Sequence, residues 1–270
     1  MRTKGWQTME AVSGVFRSRS EAEHAVAEMR AVGLGDDQIT LLTPGSTKAD
    51  VRSVPTDKAE QPGIGKAIGA VVGGSAGISG ASLLIAAVVP GVGLITAMGL
   101  LGQLILGAAG ASIGAVAGGK LTKSATEGLP ADEIFVYEDA LRKGRSVVIA
   151  LADQNKASLF RELLKVEGAE EVDAAREQWW IGLRHAEDEH YSAGGKNFGE
   201  DEKFYRLGFE SALHARTRCK EYDEVMGEMT AEIEELERQH PGVNVAEPFT
   251  RGYERGRDYY QQLCSQSEAA

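Results

Sequence analysis

Few stretches of this chain have the residue types and spacing that chemistry requires. The clearest is residues 114–120 (GAVAGGK), which nearly match a phosphate-binding loop, whose backbone amides and lysine hold a phosphate. Position 121 is leucine, where such a loop needs a serine or threonine for magnesium, and the residues before it do not resemble a strand. We therefore expect no nucleotide site there.

A short polar run could attract a metal ion, since it holds two histidines and two carboxylates: His185, Glu187, Glu189 and His190. Glu187 and His190 have the i, i+3 spacing of di-iron helix bundles. Such a site needs further ligands from partner helices, for which Glu210 and His214 are the nearest candidates. A solvated polar linker explains the run better, so we expect no metal. A ferritin-like, metal-binding tail remains an alternative.

The remaining composition argues against an enzyme and against a nucleic-acid binder. Cys219 and Cys264 are too few for a disulfide scaffold and lack metal-ligand spacing, and no Ser-His-Asp or Cys-His arrangement is apparent. The chain has 29 Lys and Arg against 40 Asp and Glu, a net charge of −11, whereas phosphate contacts need a basic face. We expect no catalytic residue, no cofactor and no nucleic acid. The first residues lack the apolar region of a signal peptide.

Two distant stretches each have the pattern of a βαβ unit. In the first, residues 11–16 predict a strand, Ser18 or Ser20 can cap a helix, and Ile39–Leu42 predict a second strand. The second comprises a helix at 131–143, a strand at 146–151, another helix ending at Gly168 and a short strand at 171–173. Together they predict an α+β fold with a split, four-stranded ferredoxin-like sheet and helices on one face.

The segment between the two halves is almost free of charge. From Gly63 to Gly119 only Lys66 is charged, which is enough apolar chain for two bilayer crossings. With Pro90–Gly91 as the break, we expect helices at about 64–88 and 94–118. Glycines recur every four residues and would let the helices approach closely, as an oligomerisation surface: Gly65, Gly69, Gly73, Gly77, Gly110, Gly114 and Gly118.

Lysines flank both ends of this segment, at Lys58 and at Lys120 and Lys123. By the positive-inside rule both chain ends would be cytoplasmic, which predicts a homo-oligomeric protein of the bacterial inner membrane with the lipid bilayer as partner. Its role would be in envelope stress or membrane organisation. The alternative is a soluble, self-assembling scaffold or shell protein, a cytoplasmic assembly whose apolar hairpins form the oligomer core.

The last third is expected to be a helical tail. Glu202–Gln239 predicts one long helix, or two with a break, and Glu247–Leu263 predicts a final helix. Residues 204–210 (FYRLGFE) are echoed by 249–254 (FTRGYE), and this pairing favours aromatic–arginine packing between antiparallel helices. The predicted order is a first half (8–45), a linker (46–62), the hairpin (63–120), a second half (130–175), a linker (176–200) and the tail (201–265).

Residues 10–174 resemble bacterial general-stress, heat-induced proteins that carry a hydrophobic insert. The resemblance rests on residues 12–16 (VSGVF), 20–23 (SEAE), 37–44 (DQITLLTP), the glycine-rich hairpin and 137–144 (YEDALRKG). Residues 204–260 separately resemble a helical tail found beside stress-associated glycine-zipper modules. Neither resemblance implies an activity or catalytic residues; together they imply a non-enzymatic, stress-associated protein.

Overall fold

A computed structural model describes residues 9–44, 84–89, 93–98, 132–214, 217–218 and 222–268. These residues form an α+β protein, as predicted, with seven α-helices and one antiparallel sheet. They divide into two compact units. The first contains the described residues of 9–98 together with 136–175, and the second contains 132–135 together with 176–268.

The sheet of the first unit has five strands: β1 (Met9–Phe16), β2 (Ile39–Pro44), β3 (Leu84–Val89), β4 (Gly93–Met98) and β5 (Ser146–Asp153). Their order is β1-β5-β2-β4-β3, and every neighbouring pair is antiparallel. The last of the five strands in sequence order, β5, therefore lies between β1 and β2. Both N-terminal strands, β1 and β2, pair with β5.

Three helices belong wholly or mainly to this unit: α1 (Arg19–Ala31), α2 (Ile134–Arg142) and α3 (Ala157–Val166); a 3-10 turn at Asp36–Gln38 precedes β2. Ser18 caps α1, since its Oγ accepts from the amide of Glu21, while the Glu21 carboxylate accepts from the amide of Ser18. The inward faces of α1 and α3 pack on alternate residues of the sheet, among them Val12, Val148 and Ala150.

The opposite face of the sheet is buried as well. Side chains alternate between faces along a strand, so Thr40, Val147 and Ile149 point away from the α1–α3 core, and all three are fully buried. A sheet that is buried on both faces needs apolar residues at consecutive positions. This explains why β5 is a continuous run of valine, isoleucine and alanine rather than an alternating pattern.

The apolar insert differs from its prediction. Residues 84–88 and 94–98 were expected to lie in two long helices, but 84–89 and 93–98 are strands that pair with each other from Leu84–Met98 to Val89–Gly93. β4 then pairs with β2, so the hairpin extends the sheet. No helix within the described residues is long and apolar enough to cross a membrane. The predictions of a transmembrane hairpin and of an integral protein of the inner membrane are therefore wrong.

Two further expectations also change. The strand predicted at 171–173 is reduced to a single antiparallel bridge between Val15 and Glu170, because helix α4 begins at Val172. Helix α4 (Val172–Ser192) also occupies most of the predicted linker at 176–200. The polar residues of this stretch therefore belong to a helix, and two of them, Arg184 and Glu187, form ion pairs with residues of other helices.

The second unit contains most of α4 and three further helices: α5 (Phe198–Leu213), α6 (Tyr222–Gln239) and α7 (Ala246–Glu268). The stretch 202–239 is thus two helices, one of the two possibilities that the sequence left open. A core of Ala212, Val225, Met229, Phe249 and Tyr253 joins α5, α6 and α7.

Candidate functional site

Helices α5 and α7 cross at two glycines that make reciprocal contacts. A Cβ atom on Gly208 of α5 would lie 2.8 Å from the carbonyl carbon of Phe249 and 3.0 Å from the amide nitrogen of Tyr253. A Cβ atom on Gly252 of α7 would lie 2.8 Å from the carbonyl carbon of Tyr205 and 3.0 Å from the amide nitrogen of Phe209. In both cases the carbonyl oxygen is closer still. The missing side chains allow the two backbones to touch.

The motif that is repeated at residues 204–210 and 249–254 therefore marks a helix crossing with local two-fold symmetry. Both helices carry an aromatic residue three positions before the glycine and another immediately after it. The relative direction of the two helices is opposite to the one that we expected. Gly252 meets Tyr205 and Phe209, and Gly256, one turn later on α7, meets Phe209 and Ala212, one turn later on α5. The contacts advance together, so the helices run the same way, and the prediction of antiparallel packing is wrong.

A buried carboxylate joins three helices beside this crossing. Glu187 of α4 is 1 % exposed, and its two oxygens accept from Nε and Nη2 of Arg255 on α7, both at 3.0 Å. Its Oε2 also accepts from the hydroxyl of Tyr205 on α5 at 2.8 Å. A buried charge is tolerated only when it is paired and hydrogen-bonded, and Glu187 meets both conditions. We call Glu187, Tyr205 and Arg255 the carboxylate hub.

Other carboxylates of this unit are held in the same way. Glu202 accepts from the guanidinium of Arg184 at 2.6 and 2.7 Å and from the indole of Trp180 at 2.9 Å. Glu210, which is 6 % exposed, lies between Arg206 at 2.6 Å and Arg176 at 3.5 Å. The arginines also lie over aromatic rings, as Arg206 does over Trp180. These arrangements orient side chains between helices.

The protonation states of these groups are unsuited to acid–base chemistry near neutral pH. Burial, followed by the hydrogen bond to Glu187, raises the pKa of Tyr205 above its ordinary 10. Burial and the hydrogen bond to Asp201 raise the pKa of Tyr191 in the same direction. The hydrogen bonds from Arg184 are the largest cause that lowers the pKa of Glu202 below 4.5. A general acid or base works best with a pKa near the operating pH, and all three shifts lead away from it.

The polar run 185–190 does not converge on one point. Glu187 faces the protein interior and is bonded to Arg255, whereas the side chain of His185 is 88 % exposed and lies 3.5 Å from Glu189. Glu210, the proposed partner ligand, is occupied by two arginines. Across the part of the chain that the structure describes, no three His, Cys, Asp or Glu residues are grouped to hold a metal. The ferritin-like alternative receives no support from this geometry.

Several predicted residues cannot be placed. The seven glycines proposed for helix packing (Gly65, Gly69, Gly73, Gly77, Gly110, Gly114 and Gly118) lie outside the described residues, as do residues 114–120 and Cys219. Cys264 lies on α7, where it has intermediate burial. The glycine packing that the structure does contain is at Gly208, Gly252 and Gly256. The spacing Gly252-x-x-x-Gly256 and Gly208-x-x-x-Ala212 was the signal that could have located it.

The β3–β4 hairpin is the second region of interest, because it ends the sheet with an uncharged strand. Among the described residues β3 pairs with β4 alone. Its sequence, LIAAVV, has no charge, proline or glycine. Edge strands normally carry such residues, since an exposed row of amides and carbonyls can pair with another chain. The sequence of this strand therefore contains no residue of the kinds that commonly protect an edge.

Comparisons with known proteins add no identification. No protein-family model matches the chain. No curated protein and no solved structure matches it either. Functional inference therefore rests on the residues and contacts described above.

Proposed function

We propose that this chain is a non-enzymatic, self-associating scaffold protein of a bacterial stress response. The observation that carries the proposal is the β3–β4 hairpin, which ends the sheet with a strand of six apolar residues in a chain of net charge −11. An apolar edge strand without charge or proline is a template for pairing with another chain, and among the described residues β3 pairs with β4 alone. Self-association would use this edge and cover it.

The state of the polar groups supports a structural role over catalysis. The most buried carboxylates of the helical unit, Glu187 and Glu210, are both bonded to arginine. The two tyrosines with shifted pKa values hold their protons more firmly than usual. Groups that are satisfied by one another stabilise a geometry and have little tendency to exchange protons with a substrate.

For the first unit we propose the split ferredoxin-like arrangement. In that arrangement a four-stranded antiparallel sheet places the first strand between the fourth and the third, with the second strand at one side. Glu170, β1, β5 and β2 follow this order, with Glu170 as a one-residue remnant of the fourth strand. The β3–β4 hairpin then extends the sheet beyond β2. The resemblance of residues 10–174 to general-stress proteins favours the same arrangement.

The test is the mass of the purified full chain, measured by size-exclusion chromatography with light scattering over a hundredfold range of concentration. We expect masses at a whole multiple of the 28.8 kDa chain, rising with concentration until one assembly dominates. High salt should strengthen the association, because it screens repulsion between acidic copies. A mass of 28.8 kDa at every concentration would contradict the proposal.

A further inference from the structure

We propose that Lys203 is a site of covalent acylation, and that His240 is the base that takes the proton from its attacking nitrogen. The substrate class is an uncharged acyl donor with a good leaving group, such as a small ester, thioester or lactone. This inference goes beyond the proposed self-association and does not depend on it. It rests on a nucleophile, a base and a group that orients the base, joined by hydrogen bonds.

The two ring nitrogens of His240 have different hydrogen-bond partners, and these partners fix the tautomer. Nδ1 lies 3.1 Å from the carbonyl oxygen of Leu236. A carbonyl oxygen only accepts hydrogen bonds, so Nδ1 carries the hydrogen and Nε2 of the neutral ring keeps its lone pair. Nζ of Lys203, on α5, lies 2.6 Å from that Nε2. The lysine nitrogen therefore donates to a nitrogen that can take up a proton.

The end of α6 and a buried aromatic ring hold this pair in place. His240 directly follows α6, and the carbonyl oxygen of Leu236 also accepts from the backbone amide of His240 at 2.9 Å. Phe204 is buried, and its ring meets the His240 ring edge-on with 5.2 Å between the ring centres. Nζ of Lys203 lies 5.4 Å from the centre of the same Phe204 ring. One buried ring thus contacts both the nucleophile and its base.

Access and charge define the class of acyl donor. Lys203 is exposed, so a small molecule in solution can reach its nitrogen. The helices that position the pair are acidic: the first turn of α5 contains Glu200 and Asp201, and residues 228–239 of α6 contain five glutamates and one arginine. A field of this sign repels anions such as acyl phosphates. An uncharged donor approaches without that repulsion.

The reaction needs no reagent other than the acyl donor and water. The Lys203 ammonium first loses one proton to water, and the lone pair of the neutral amine then forms a bond to the acyl carbon. The attacking nitrogen becomes positively charged, and His240 takes its second proton through the existing hydrogen bond. The bond between the acyl carbon and the leaving group breaks, and the leaving group departs with the electron pair. The product is a neutral amide at Lys203, and His240 returns its proton to water.

Peptide mass spectrometry of the full-length chain tests the site. The probe is p-nitrophenyl acetate, an uncharged acyl donor, added near neutral pH and quenched after a series of short times. We expect Lys203 to be acetylated at least about tenfold faster than Lys165 and Lys196, whose ammonium groups are paired with carboxylates rather than with a base of this kind. Equal rates at the three lysines would overturn the proposal. This comparison uses the unchanged chain, so it does not depend on whether a variant folds.

His240→Gln tests the role of the base. The glutamine amide still offers a hydrogen-bond acceptor but cannot take up a proton, so the acetylation rate at Lys203 should fall to that of Lys165. His24→Gln is the matched control, because His24 lies 3.4 Å from Glu167 instead of from a lysine, and it should leave the rate at Lys203 unchanged. An unchanged rate at Lys203 in His240→Gln, with the fold verified by circular dichroism, would overturn the assignment of His240 as the base.

A charged donor tests the substrate class. Acetyl phosphate carries the same acyl group on an anion, so added salt should raise its rate at Lys203 by screening the acidic helices. The rate with p-nitrophenyl acetate should not depend on salt. A rate with acetyl phosphate that stays constant or falls as salt is added would overturn the preference for an uncharged donor.

Discussion

The glycine crossing of α5 and α7 makes the sharpest prediction for the helical unit. Replacing Gly208 by alanine adds a Cβ atom 2.8 Å from the carbonyl carbon of Phe249. Carbon atoms in contact are normally about 3.5 to 4.0 Å apart, so the helices must separate by roughly 1 Å. The obstacle is backbone, which cannot rotate away as a flexible side chain could.

The expected cost follows from two opposing effects. Overpacking of a core costs about 1 to 3 kcal/mol, and a clash with backbone belongs at the upper end of that range. Alanine gains up to about 1 kcal/mol over glycine from helix propensity. We therefore expect Gly208→Ala to lower the free energy of unfolding by about 2 kcal/mol. Gly252→Ala should cost a similar amount, because its surroundings are the two-fold equivalent.

The double variant tests the shared cause. One separation of the helices relieves both clashes, so Gly208→Ala combined with Gly252→Ala should cost clearly less than the sum of the single variants. Urea unfolding of the full chain, followed by tryptophan fluorescence in a Trp6→Phe background, measures this directly. Trp179 and Trp180 are both buried in the helical unit and report on its unfolding.

Gly182 and Gly227 provide matched controls inside α4 and α6. A Cβ atom at either position meets nothing within 4 Å, so alanine should raise the free energy of unfolding by about 0.5 to 1 kcal/mol. The same substitution should thus have opposite signs at the crossing and away from it. If Gly208→Ala left stability unchanged or raised it, the close approach of α5 and α7 would be wrong.

Three further predictions concern the buried carboxylates. Arg255→Met leaves the charge of Glu187 without its main partner and should cost about 3 to 5 kcal/mol in urea unfolding, whereas the double change with Glu187→Met should recover much of that loss. The raised pKa of Tyr205 means that the folded protein keeps the phenol proton at a pH where the unfolded chain loses it. The free energy of unfolding should therefore fall as the pH rises above 10. Tyr205→Phe should make that fall smaller when unfolding is measured at a series of alkaline pH values. The lowered pKa of Glu202 has the opposite effect: its contribution to the free energy of unfolding is present above pH 4.5 and is lost as the pH falls further. Glu202→Gln should therefore lose less stability than the unchanged chain between pH 5 and 3. An equal loss in both proteins would count against the Arg184 pair.

The parts of the fold that the sequence predicted are those with local signals. β1, α1 and β2 follow from alternation, from the Ser18 capping box and from the stop at Pro44. The strand at β5 was recognisable from its run of β-branched residues. In each case neighbouring residues carry the pattern that decides the structure.

The apolar insert was misread because a continuous apolar run has no period. Such a run fits a buried strand and a buried helix equally well, and pairing with distant residues decides between them. For β4 the deciding partner is β2, whose Leu41 pairs with Met98 across more than fifty residues. The absence of charged residues suggested a segment that lies in a bilayer, but a strand that is buried on both faces of a sheet also consists of uncharged, apolar residues.

The carboxylate hub was missed for a different reason. Glu187 is in a polar run that looks solvated, and its partner Arg255 follows 68 residues later. Nothing in the spacing of α4 shows that one of its acidic residues faces inward, because the guanidinium that makes this possible is on another helix. The glycine echo did mark the right helices, but a repeated motif leaves open whether the helices run the same way or opposite ways.

The position of β5 also has a consequence for how the chain is made. Roughly one hundred residues separate the end of β2 from the start of β5, and β1 pairs with no other strand among the described residues. At about 5 to 20 residues per second, a ribosome takes roughly 5 to 20 s to synthesise that interval. During this time β1 and β2 are outside the ribosome without the strand that pairs with both of them. The nascent chain is therefore expected to need a chaperone until β5 emerges.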